Sequence, residues 1–191
     1  NCDKVYYYLN SIKPPHTLSF DIKPLAGHKV LIKTIEDALR EDLSNNFKDG
    51  GFVKTGYNDE LDKQRNLRNK GAKLLGSMQQ ELITLSEVSS LKIKHNNVLG
   101  YFIEIPTRHS QKLLSPPLSD VFIHRQTTAN SIRFTTTELG KAESNILNAT
   151  SAALNIELDI LDKIQTKILK NSLKILDTAR ILAIIDVNCA L

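Results

Sequence analysis

At 191 residues, with 41% hydrophobic and 24% charged side chains, the chain can bury a core in one or two domains and has an ordinary globular composition. Six per cent aromatics and no Trp leave the apolar content to Leu, Ile, Val and Ala, which favours helix on helix over an aromatic-lined ligand pocket. The net charge is only +4, no apolar run reaches the ~20 residues of a membrane span, and two cysteines without CxxC or Cys/His spacing exclude a zinc module and a disulfide framework.

Residues 1–49 alternate helical and irregular stretches. Val5–Leu9 and Val30–Leu43 have helical spacing, separated by the breakers Pro14-Pro15 and Pro24. Asp49-Gly50-Gly51 is a turn signal and Phe52–Thr55 a short extended piece. Asn58 then predicts a helix cap, with Asp59 and Glu60 in the first turn at the positive end of the dipole. That helix is expected to run to about Val88, with Leu75, Met78, Leu82 and Leu85 on its apolar face.

From Leu91 the period changes to alternation. Leu91–His95 predicts a strand, Asn96-Asn97 a turn, and Tyr101–Ile105 the returning strand, with Tyr101 and Ile103 on one face and Phe102 and Glu104 on the other. Residues 106–120, which hold Pro106, Pro116 and Pro117, are expected to be a loop. Val121–Thr128 and Ser131–Thr136 predict a second strand pair joined near Ala129-Asn130, making a four-stranded antiparallel unit.

Helical spacing returns at Thr137. Leu139, Ala142, Ile146, Ala149, Ala153, Ile156 and Ile160 form a heptad seam, which shifts register through Ile164 and Ile168. One helix is expected from Thr137 to about Asp177. The fold class is therefore α+β, mainly α: a helical segment over 1–90, a β insertion over 91–136 and a returning helix over 137–191. The economical packing is two antiparallel helices forming an arm with the β unit at its tip; the alternative is an ordinary helical bundle with a β insertion. The apolar closing stretch Ile181–Leu191 and the missing initiator Met suggest a piece of a larger protein.

The charge is unevenly spread. Residues 91–136 carry Lys92, Lys94, Arg108, Lys112, Arg125 and Arg133 against Glu104 and Asp120, while the rest of the chain has nineteen bases and nineteen acids. A basic β unit with phosphate-bonding Asn, Gln, Thr and Ser side chains fits a polyanion partner, and the scarcity of stacking aromatics favours duplex over single strands. The charge alone also fits a merely hydrophilic tip.

Two motifs are near-misses. Phe102-Ile103-Glu104 has the F-x-E spacing of an aromatic wedge but lies within an alternating strand. Gly71 and Gly76 are spaced as in a P-loop, yet Ser77-Met78 follows where Lys-Ser/Thr belongs. The histidines are scattered, and no catalytic constellation or metal set can be assembled.

Gly56-Tyr57-Asn58-Asp59-Glu60-Leu61-Asp62, Asn97–Ile105, Arg125-Gln126-Thr127 and Ile132–Leu139 occur in this order in a coiled-coil frame, and together they resemble the MutS family of DNA mismatch repair proteins. The resemblance covers Asp49 to the end well and the first 48 residues loosely. It implies that 58–90 and 137–191 are levers and 91–136 a clamp that closes over duplex DNA through phosphates. Carried over by position, the DNA contacts would be Lys94, Asn97, Arg108, Arg125, Gln126, Thr127, Asn130 and Arg133; many family members carry Lys where this chain has Ala129. The resemblance further implies a larger parent protein with an ATPase domain binding ATP and Mg, a homodimer, a MutL-type downstream partner and a bacterial cytoplasmic, nucleoid-associated location. This chain itself is expected to hold no catalytic residue, cofactor or metal. Without the resemblance, a partner-binding coiled-coil arm or an RNA-gripping arm fits the same pattern.

Overall fold

The computed structural model describes residues 2–11, 21–43 and 47–190. The chain forms two compact units, one of residues 58–155 and the other of residues 1–57 with 156–191.

In the unit 58–155, helix α3 (Asp59–Ser86) starts at Asn58, whose extended backbone turns Oδ1 to accept the Leu61 N–H at 2.8 Å. Asp59, Glu60 and Asp62 occupy the first turn, where the helix dipole favours acids. Leu61, Leu75, Met78 and Leu82 are buried along one stripe. The expected core position Leu85 is instead half exposed, and the helix stops two residues short of Val88. Ser86 takes the buried place: its Oγ donates to the Leu82 carbonyl at 2.6 Å and accepts the Val88 N–H at 3.3 Å. Glu87 then turns left-handed, with φ 50°.

Helix α5 (Thr137–Lys170) is capped by Thr136, whose buried hydroxyl accepts the Leu139 N–H at 3.1 Å. Within this unit α3 and α5 run antiparallel and approach closely at Gly71, where an added Cβ would stand 2.5 Å from Ile146 Cγ1. Their ends next to each other hold the sheet, made of β1 (Lys92–Asn96), β2 (Gly100–Pro106), β3 (Ile123–Thr127) and β4 (Ser131–Thr135) in the order β1-β2-β4-β3, every pair antiparallel. One face presents Ile103, Ile105, Ile132 and Phe134 to Met78, Leu82, Leu139 and Ala142 in a single core. Phe134 and Ile103 are fully buried, each contributing about 2–3 kcal/mol of transfer free energy.

The loop expected over 106–120 contains structure of its own. Two tight turns, Thr107–His109 and Leu118–Asp120, flank a short helix α4 (Ser110–Leu114), which buries Leu113 completely. The second turn delays β3 to Ile123, because the Val121 and Phe122 amides both bond back to Leu118 O, at 3.0 and 2.9 Å.

The other unit holds α1 (Cys2–Ser11), α2 (Lys29–Ala38), the end of α5 and α6 (Ser172–Ala190). Helix α2 ends well before Leu43 because Leu39 is extended and bridges to Val53. Pro24 sits in the turn Lys23–Leu25, and its carbonyl accepts the Thr178 hydroxyl at 2.6 Å; Pro14-Pro15 lie outside the described residues. The single helix expected to Asp177 breaks at Asn171. There the Asn171 amide bonds Ile168 O in a tighter turn, and Nδ2 bonds Lys167 O at 2.8 Å, a side chain competing with the helical ladder. The seam also yields where it passes from Ala153: Ile156 is only half buried, and Glu157 is buried beside it. Its Oε2 accepts the Gly51 and Phe52 amides at 2.6 and 3.1 Å.

Among the described residues no helix is long and apolar enough to cross a membrane.

Candidate nucleic-acid interface

Alternation along the strands leaves Lys92, Lys94, Phe102, Glu104, Gln126 and Arg133 on the sheet face opposite the core. Glu104 stands at the centre of that face. Its Oε1 accepts Lys94 Nζ at 2.5 Å, and its Oε2 accepts Arg133 Nε at 3.2 Å. The hydrogen bond from Lys94 holds the Glu104 carboxyl below the ordinary 4.5; partial burial opposes that shift and Arg133 adds to it. Arg133 NH1 donates to Gln126 Oε1 at 2.8 Å, and its guanidinium carbon lies 4.7 Å from the centre of the Phe102 ring, which is buried. Phe102 is thus covered by an arginine, an arrangement unsuited to wedging between bases.

Strand β3 is an edge strand exposed along all five residues. His124 pairs with Phe134 and Gln126 with Arg133, so Arg125 is an extra residue in a bulge, opposite nothing. A bulge re-aims the side chain that it carries. Arg125 is exposed and has no carboxylate partner among the described residues. Two positions on, the Thr127 hydroxyl shares a hydrogen bond of 3.0 Å with His124. The turn Thr128–Ser131 follows, with Asn130 exposed at its tip. The Asn130 carbonyl accepts the Thr107 amide at 3.3 Å, which sets the exposed Arg108 beside this turn. Arg108 Nε donates to His109 Nε2 at 3.1 Å.

The eight residues singled out from the sequence therefore fall into three places. Lys94, Gln126 and Arg133 share the network around Glu104. Arg108, Thr127 and Asn130 lie at the β3–β4 turn, and Arg125 stands three residues before it in the bulge of β3. Asn97 is exposed in the β1–β2 turn at the opposite end of the sheet, six strand residues or about 20 Å away. Neighbouring Asn96 orders that turn by accepting the Val98 and Leu99 amides at 2.9 and 2.7 Å.

Two residues outside those eight belong to this face as well: Lys92, exposed on it, and Glu104, the counter-charge. The signal for Lys92 was its two-residue spacing from Lys94; for Glu104 only the cross-strand register reveals it. The net charge of this segment is also less available than its sum suggests. Glu104 engages Lys94 and Arg133, and Glu87 engages Lys112 at 2.6 Å. Arg108, Arg125 and Lys92 are left without a carboxylate among the described residues. The three histidines of the segment do not converge: His95 packs on Tyr101, His109 lies beside Arg108 and His124 against Phe134.

Residues 56–152 match the family model described as MutS family domain IV. The chain is 46% identical over 183 residues to the DNA mismatch repair protein MutS of Roseobacter denitrificans, covering 96% of this chain and 21% of that protein. It is 48% identical over 165 residues to MutS of Dinoroseobacter shibae, covering 86% of this chain and 19% of the relative. With MutS of Paracoccus denitrificans it shares 47% over 166 residues, covering 87% and 19%. The chain spans about a fifth of the length of these curated relatives.

Proposed function

Since the chain belongs to the MutS family, we propose that it is the clamp and lever region of a DNA mismatch repair protein, in which residues 91–136 grip duplex DNA through its phosphates without reading base edges. Residues 58–90 and 137–191 are the levers that transmit this grip to the ATPase of the parent protein. ATP and Mg bind in that other domain, and a homodimeric parent working with a MutL-type partner in the bacterial cytoplasm completes the reading.

The observation that carries it is the exposure of two arginines of this segment, Arg125 in the bulge of β3 and Arg108 next to the Thr107–Asn130 bond at the β3–β4 turn. Both are exposed and uncompensated, and Thr127 and Asn130 add neutral hydrogen-bonding groups between them. Arginine at such a place neutralises phosphate and releases condensed counterions, an interaction without sequence information.

Fluorescence anisotropy of the chain with a labelled 30-base-pair duplex tests this. Binding in the ~10⁻⁴–10⁻⁶ M range of non-specific complexes is expected, with log K falling against log[salt] at a slope near −3 if about three phosphates are neutralised. Arg108→Ala/Arg125→Ala is expected to reduce the slope by about 1.8. An unchanged slope and affinity in that variant would sink the assignment, as would a structured RNA that outcompetes the duplex.

A further inference from the structure

We propose that Glu104 sets the strength of this grip by occupying Lys94 and Arg133 with its own carboxylate, so that the centre of the sheet face offers a phosphate little net attraction. The inference rests on the clamp reading above and specifies how that site is regulated.

Both carboxylate oxygens are engaged, one on each base, as a phosphate's oxygens would be. A duplex phosphate approaching Lys94 meets an ammonium that already has an oxygen in contact and a negative charge directly behind it. At the centre of the face these two bases and one acid leave a single net charge, where Lys94 and Arg133 alone would leave two; Lys92 adds one more on the edge strand β1. The sheet does not need this arrangement for its cohesion. A partly exposed ion pair contributes little to stability, whereas the opposite face carries the fully buried Ile103 and Phe134. A carboxylate among DNA-facing bases costs affinity, and what it supplies is release. The grip is left to Arg108 and Arg125, which have no carboxylate among the described residues, while the middle of the face stays weak enough to let go or to move along the backbone.

Glu104→Gln keeps the shape and the hydrogen-bonding oxygen but removes the charge. With the whole chain and the 30-base-pair duplex, this variant is expected to bind about ten-fold tighter at 0.1 M salt, with a salt slope steeper by about 0.9–1.8 as one or two bases become available to phosphate. Glu87→Gln makes the same charge change at the exposed partner of Lys112, and is expected to shift affinity less than two-fold. Lys94→Ala is expected to cost little affinity in the unmutated chain and several-fold in the Glu104→Gln background, a coupling that a merely structural ion pair would not show. Unchanged or weaker binding by Glu104→Gln, or an equal gain from Glu87→Gln, overturns the proposal while leaving the clamp reading standing, provided that Arg108→Ala/Arg125→Ala still weakens binding. Absence of duplex binding by the unmutated chain overturns both. Thermal unfolding of each variant verifies that the affinities belong to folded protein.

Discussion

The carboxylate of Glu143 occupies the space into which any side chain on Gly100 would grow, so α5 and the β1–β2 hairpin meet without a gap. Gly100 has φ +69°, and an added Cβ would overlap Glu143 Oε1, the same atom that accepts the Tyr101 N–H at 3.0 Å. Gly100→Ala is therefore expected to destabilise the unit twice. The left-handed backbone costs an alanine about 1–2 kcal/mol, and displacing Glu143 leaves the Tyr101 amide unpaired for about 1–3 kcal/mol. Urea unfolding is expected to show a total loss of about 2–4 kcal/mol, with Glu143→Ala adding little on top because its contact is already gone. Full additivity of the two changes would contradict the arrangement.

A second carboxylate does comparable work in the other unit. Glu157 is buried and holds the Gly51 and Phe52 amides, fixing the chain just before Val53 bridges to Leu39. Glu157→Ala leaves two donors without that acceptor and is expected to cost about 2–3 kcal/mol. Amide hydrogen exchange at Gly51 and Phe52 is expected to accelerate more than at Leu61, which Asn58 caps independently. Equal acceleration at all three would mean general unfolding rather than a released loop.

The lowered pKa of Glu104 has a definite sign in the stability profile. A carboxyl that ionises more readily when folded adds stability above its ordinary value of 4.5, and that stability is lost as pH falls through the depressed folded value. Denaturation midpoints are thus expected to stay flat from neutral pH to about 5 and then to fall, and Glu104→Gln is expected to shallow the fall. A variant profile superimposable on the original would show that Lys94 and Arg133 do not stabilise the charged form.

Much of this architecture could be read from residue spacing. The apolar steps along α3 and α5, the cap at Asn58 and the alternation over 92–105 each announce one local geometry, and these elements are present, although α3 stops at Ser86 and the closing helix breaks at Asn171. The features that define the site depend on pairing between segments. Nothing local to Arg125 signals a bulge; it follows from His124 facing Phe134 while Gln126 faces Arg133. Likewise Glu104 looks like any polar residue of an alternating strand until register sets Arg133 across from it. Summing charge by segment also concealed a feature of α3: Lys63, Arg65, Arg68, Lys70 and Lys73 lie in a stretch, 63–80, with no acid, yet acids elsewhere cancel them in the total. At Ser86, Glu157 and Asn171, side-chain bonds to the backbone overrode the hydrophobic period.

The division of the eight expected contacts makes a prediction that charge alone does not. Asn97 has the right chemistry for a phosphate, but the length of β2 separates it from Arg108 and Asn130, and Arg125 lies on β3, the edge strand farthest from β1. If the grip is centred on the β3–β4 turn, Asn97→Ala is expected to leave duplex affinity within two-fold and the salt slope unchanged. Arg125→Ala alone is expected to reduce that slope by about 0.9. Arg133→Ala tests the boundary between the groups, because Glu104 already occupies that base. It is expected to weaken binding less than Arg125→Ala does while lowering stability, as the Phe102 ring loses its cover. Anisotropy and urea unfolding of the three variants separate these effects. A loss at Asn97 as large as that at Arg125 would move the contact surface to the length of the sheet rather than its turn.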